Sequence, residues 1–103
     1  MGTSINKHDT LEQLIYDEEI RIQAIDVHPE VDILLIVLNT RSVLKEKLST
    51  YPRLHNAPKK DLLNYVLTSS GRGIHWPDLD EDLSLKGFLR DAVKSQVLGN
   101  KVA

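Results

Sequence analysis

The sequence predicts an α+β domain: a small, mainly antiparallel sheet with helices packed against one face. Three observations predict it. Residues 20–27, "IRIQAIDV", alternate Ile20, Ile22 and Ala24 against Arg21 and Gln23, the period of a half-buried strand. Residues 33–38, "ILLIVL", form a short, continuous apolar run of the kind a central strand needs. From Leu85 the apolar spacing becomes helical, with Leu85, Phe88, Leu89, Ala92 and Val93 on one stripe.

Taken in order, residues 1–9 are polar and expected to fray. Thr10 followed three residues later by Gln13 is a capping-box pattern, and Leu11, Leu14 and Ile15 give the helix over 10–18 an apolar face. The alternation of the first strand breaks at Ile25, which predicts a bulge or burial of both faces near its end. A third strand around 42–46 is diluted by Lys45 and Glu46. Pro58 fits the first turn of a helix reaching Asn64, with Leu62, Leu63 and Val66 as its buried face. "YVLT" and "GIHW" then read as two strands around the turn "SSGRG". Pro77 cannot donate to a ladder and ends the second of them. Gly99 is the expected stop of the last helix, and Gly87 within it implies close packing. The core is expected to take Ile22, Ala24, Leu35, Val37, Ile74, Trp76, Phe88 and Leu89.

At 103 residues the chain has room for one core, not two. Aromatic residues are only 5%, so aliphatic packing must fill it. The formal net charge is −2 and Lys59–Lys60 is the only adjacent basic pair, which argues against direct nucleic-acid binding. The absence of cysteine excludes disulfides, thiolate metal sites and thiol catalysis. With no apolar run of membrane-spanning length and no signal-peptide pattern, a cytoplasmic protein is expected.

Candidate chemistry concentrates in residues 73–84, "GIHWPDLDEDLS". Asp78, Asp80 and Asp82 have the opening spacing of a calcium loop, but Leu83 stands where its glycine belongs and Leu89 where its bidentate Glu belongs. His8, His28, His55 and His75 are dispersed, so no zinc site is expected. The adjacent carboxylates lack a pocket to drive their pKa values apart. Ser69 and Ser70 do not sit in a nucleophile elbow, and Gly71 and Gly73 read as turn residues. No complete catalytic constellation can be assembled, so neither an enzyme nor a cofactor is expected. Most of the stretch reads as strand exit and helix entry: Ile74 and Trp76 share one strand face, His75 points the other way, and Asp82 or Ser84 caps the helix at Leu85. The acids exceed what a helix start needs. His75, Trp76, Asp78, Asp80 and Glu81 are therefore the candidate protein-interaction residues.

These residues carry a resemblance. Tyr51-Pro52-Arg53-Leu54, followed by a short helix and by Gly73 to Ser84, resembles the bacterial Domain of Unknown Function 2442 family over about residues 20–90. The family pattern has G-x-G-I-H-W-P-x-L-D-E-D-[IL]-S in the last block, with Tyr51, Pro52, Arg53, Gly73, Pro77, Asp82 and Ser84 as motif positions here. The chain departs from it in the middle: Thr40-Arg41-Ser42 stands where the family has Asp-Gly-Arg, and Glu46-Lys47-Leu48 replaces Val-Pro-Leu. The organisation expected is an extension over 1–19, the family-like domain over 20–90 and a helical tail over 91–103. The resemblance implies a small α+β domain without established catalysis, often encoded beside a second small protein. The expected function is a protein-interaction module, the antitoxin-like member of a two-protein operon. The alternative is a regulatory or ligand-sensing domain working with a separate DNA-binding regulator. The expected partners are a small basic protein and a second copy of the chain, with no membrane.

Overall fold

The computed structural model describes residues 9–99. The expected frayed segment, apart from Asp9, and the end of the tail lie outside them. The elements run α1 (Thr10–Asp17), β1 (Ile22–His28), β2 (Ile33–Leu38), β3 (Val43–Glu46), α2 (Lys59–Leu63), β4 (Val66–Thr68), β5 (Gly73–Trp76), β6 (Glu81–Ser84) and α3 (Leu85–Leu98). The α+β class is as expected, but the strands form two antiparallel three-stranded sheets, β1-β2-β3 and β4-β5-β6. The chain between β3 and β4 explains the division. Residues 47–65 leave the first sheet through a 3₁₀ turn at Leu48–Thr50, an irregular stretch and α2, so no strand bridges the two.

The first sheet turns on local chemistry. Asp32 takes a left-handed conformation (φ 59°) between β1 and β2. Its carboxylate accepts from the Ser49 amide at 2.8 Å and the Ser49 hydroxyl at 2.6 Å, pinning the 3₁₀ turn beneath β3. The Ser49 hydroxyl holds the Asp32 carboxyl below the usual carboxylate range. At the β2–β3 turn Arg41 sits at φ 75°, where the resemblance places glycine, and Leu38 O accepts from its amide at 3.0 Å. Turn and third strand thus form despite the departure.

The facing of β2 differs from expectation. Leu34, Ile36 and Leu38 are buried, while Leu35 and Val37 are half-buried on the opposite face. The expected facing of β1 changes as well, through its bulge. Ile22 pairs with Leu38 but Ala24 pairs with Val37, so one extra residue flips the strand. Past it, Ile25 and Val27 stand opposite Ile36 and Leu34 on the core face, and Ala24 moves to the outer one.

The helices bring similar corrections. Asp9, not Thr10, caps α1: its carboxylate accepts from the Glu12 amide at 2.9 Å. The same group pairs with Lys86 at 2.7 Å, fastening α1 to α3. Pro58 lies just before α2 rather than inside its first turn, and only Leu62 of the expected face is buried. Leu63 and Val66 are exposed, because five helical residues present little more than one position to a core and Val66 already begins an outer strand. On α3, Ser84 is the cap, accepting from the Gly87 amide at 3.0 Å, and Gly99 is the stop. A side chain at Gly87 would meet that cap hydroxyl at 3.2 Å.

Trp76, Phe88, Leu54, Leu62, Ile74 and Leu85 fill the space between α3 and the sheets with less than 2% exposure, beside Leu34, Ile36 and Val27. Leu89 is half-buried against them. The Trp76 indole donates to Leu62 O at 3.0 Å, so the one polar atom it takes into the core is paired. Gly71 brings the sheets together. At φ 89° it lies so close to β1 that a side chain there would meet Arg21 Cβ at 3.0 Å and Ile22 O at 3.1 Å.

Candidate functional site

The stretch after Trp76 does not leave the sheet. Pro77–Asp80 form a hairpin turn in which Leu79 donates to Trp76 O at 3.2 Å and Asp80 adopts φ 51°. Glu81–Ser84 then returns as β6, with Glu81 opposite Trp76 and Asp82 opposite His75. Asp82 is therefore a strand residue rather than a helix cap.

This hairpin places the candidate residues in two groups. Trp76 belongs to the core and adds nothing to the surface. Asp78, Asp80 and Asp82 are exposed on or beside the turn, Glu81 is half-buried, and each carboxylate has a partner. Asp78 accepts from Asn64 Nδ2 at 2.8 Å. Arg53 donates to the Asp80 main-chain oxygen and lies 3.3 Å from its carboxylate. His75 Nδ1 is 2.9 Å from Asp82, and Glu81 accepts from the Asp82 amide at 3.0 Å. The two motif blocks, 27 residues apart in sequence at Arg53 and Asp80, thus meet directly. One guanidinium among four carboxylates leaves the turn net negative, and the Asp80 side chain remains 89% exposed.

The other motif positions support this frame. Thr68 lies opposite Gly73, and a side chain at Gly73 would meet its hydroxyl at 2.5 Å, so β4 can approach β5 only over glycine. Pro77 ends β5, Ser84 starts α3, and Pro52 is exposed. Tyr51 donates to Glu46 Oε1 at 3.1 Å. Glu46 faces inward on β3, two residues beyond Leu44, and shares a hydrogen bond with Asp91 of α3. Burial, and then the neighbouring Asp91 charge, raise the Glu46 carboxyl from 4.5 to about 7. Burial and the Glu46 charge push the Tyr51 hydroxyl upward as well.

Of the Glu46–Tyr51–Asp91 cluster only Tyr51, as a motif position, was among the sequence candidates. Its signal was the Leu44–Glu46 alternation, which puts a carboxylate on the apolar face of a strand. The Asn64 anchor carried no signal. Among the described residues no three histidines, aspartates or glutamates converge as metal ligands, and no helix is long and apolar enough to cross a membrane.

Two solved structures share the fold. An uncharacterized protein from Chromobacterium violaceum, determined by solution NMR, superposes with a TM-score of 0.63 at 22% identity, covering 87% of this chain and 85% of that one. A protein of unknown function from Rhodospirillum rubrum, determined by crystallography, gives a TM-score of 0.61 at 22% identity, covering 70% and 87%. No curated protein matches the chain significantly. The family model described as protein of unknown function (DUF2442) matches residues 24–94, spanning both motif blocks and the helix that follows them, and the chain belongs to that family.

Proposed function

We propose that this domain is a non-catalytic protein-interaction module whose contact surface is the acidic β5–β6 turn. The observation that carries the reading is the Arg53–Asp80 anchor. A guanidinium bound to both the main chain and the carboxylate of one turn residue, with Asn64 holding Asp78, fixes the turn from two sides. The carboxylates are thereby presented at defined positions while staying exposed. Pre-ordering of this kind lowers the entropy lost on docking, and the net negative field selects a basic surface. A small basic protein is the partner that fits.

The finer form of the proposal is that the partner is encoded beside this domain and that the two act as an antitoxin-like pair. The test is calorimetric titration of the adjacent gene's product into the wild-type domain and into an Asp78→Lys/Glu81→Lys double variant. Saturable binding that weakens at least tenfold in the variant supports both forms. Equal binding to the two proteins removes the turn from the interface. No binding to wild type removes the operon pairing.

A further inference from the structure

Beside the β4–β5 turn and the start of α3 lies a cleft of about 470 Å³. Thr68, Ser69, Arg72, Ser84 and Arg90 line it. In a chain with 15 acidic residues against 13 lysines and arginines, an arginine readily finds a carboxylate, as Arg53 does. Arg72 and Arg90 make no such contact, though the charge of Arg90 acts on Asp9. Among the described residues neither guanidinium makes an ion pair or a hydrogen bond. The Nε of Arg72 is buried without an acceptor, and its guanidinium carbon lies 4.3 Å from the centre of the Tyr16 ring. A buried, unpaired N–H is costly, so a shift of the Arg72 side chain that gives it an acceptor is favoured.

Two carboxylates also line the cleft: Asp82, which lies 2.9 Å from His75 Nδ1, and Asp91, whose charge acts on Glu46. The hydroxyls supply further donors: Ser84 Oγ accepts from the Gly87 amide, which leaves its own proton to give. The volume is that of a small-molecule site. We propose that this cleft binds a small metabolite through an oxyanion, a phosphate or carboxylate group seated against Arg72 and Arg90. The planar fork of arginine matches both groups with paired hydrogen bonds. Of the four carboxylates at the acidic turn only Asp82 lines the cleft; Asp78, Asp80 and Glu81 do not.

The experiment is an amide NMR titration of the intact chain at constant ionic strength, with inorganic phosphate and succinate as probes and sodium chloride as control. Saturable shifts of the Thr68–Gly73 and Ser84–Arg90 amides are expected with one or both probes. Arg72→Gln and Arg90→Gln should each weaken binding at least fivefold. Saturation by phosphate alone assigns a phosphoester ligand, and by succinate alone a carboxylate. Because Arg72 also packs on Tyr16, Arg90→Gln carries the test if Arg72→Gln fails to fold; Arg90 is exposed and, among the described residues, makes no ion-pair contact or side-chain hydrogen bond, only a charge interaction with Asp9. Shifts no larger than those with chloride, or unchanged affinity in Arg90→Gln, would overturn the proposal.

Discussion

Replacing Glu46 with glutamine should stabilise the domain near pH 8 and change it little near pH 5. In the folded chain the Glu46 carboxyl is raised from 4.5 to about 7, first by burial and then by Asp91. A carboxyl whose folded pKa lies above its unfolded one favours folding fully below the unfolded value. That contribution is lost as pH rises through the folded value. The window here runs from about pH 4.5 to 7. At 1.36 kcal/mol per pH unit the shift is equivalent to roughly 3 kcal/mol. Glu46 is only half-buried, so water screens the charge, and about 1–2 kcal/mol is the effect to expect. Glutamine keeps an oxygen for the Tyr51 hydroxyl but carries no charge toward Asp91. For a chain of this size each kcal/mol moves the melting midpoint by about 4–8 °C, so the variant should gain roughly 5–15 °C near pH 8. Circular-dichroism melts across this range, with carbon-detected NMR titration of the carboxyl, measure both sides. Equal shifts at the two pH values, or a carboxyl titrating near 4.5, would refute the reasoning.

Other outcomes follow from single residues. Arg41→Gly should raise stability by about 0.5–1 kcal/mol, since a left-handed L-residue costs about 1–2 kcal/mol and the looser unfolded chain returns part of the gain; a loss in urea melts would contradict this. Gly71→Ala should cost about 2–4 kcal/mol, combining positive φ with contact against the Ile22 main chain, and normal stability would mean the sheets can separate there without penalty. Calorimetry with calcium, magnesium and zinc should find no saturable tight site at Asp78, Asp80 and Asp82; a micromolar calcium isotherm abolished by Asp80→Asn would sink that expectation.

What the sequence made legible follows the range of the forces involved. The run at 33–38 identified β2, and the Leu85 stripe identified α3, because each pattern is local. Both faces of β2 are apolar, so its own sequence does not say which one is buried, and the bulge between Ile22 and Ala24 decided which β1 residues join that face. Strand β6 was hidden because Glu-Asp-Leu-Ser reads equally well as the acidic lead-in to a helix. Only the left-handed turn at Asp80 sends it back along β5. The resemblance marked Arg53 and Asp80 separately. Their contact spans 27 residues and requires both the irregular stretch after β3 and the β5–β6 hairpin to be in place.

The central claim is that the anchored acidic turn receives a basic partner. Its most direct test is the association rate of the adjacent gene's product by stopped flow, at about 50 and 300 mM salt. Wild type should associate at least tenfold faster at the lower salt. The Asp78→Lys/Glu81→Lys variant should lose that dependence, its melting midpoint falling only by the small contribution of the exposed Asn64–Asp78 hydrogen bond. A rate insensitive to salt, or unchanged in the variant, would contradict the claim.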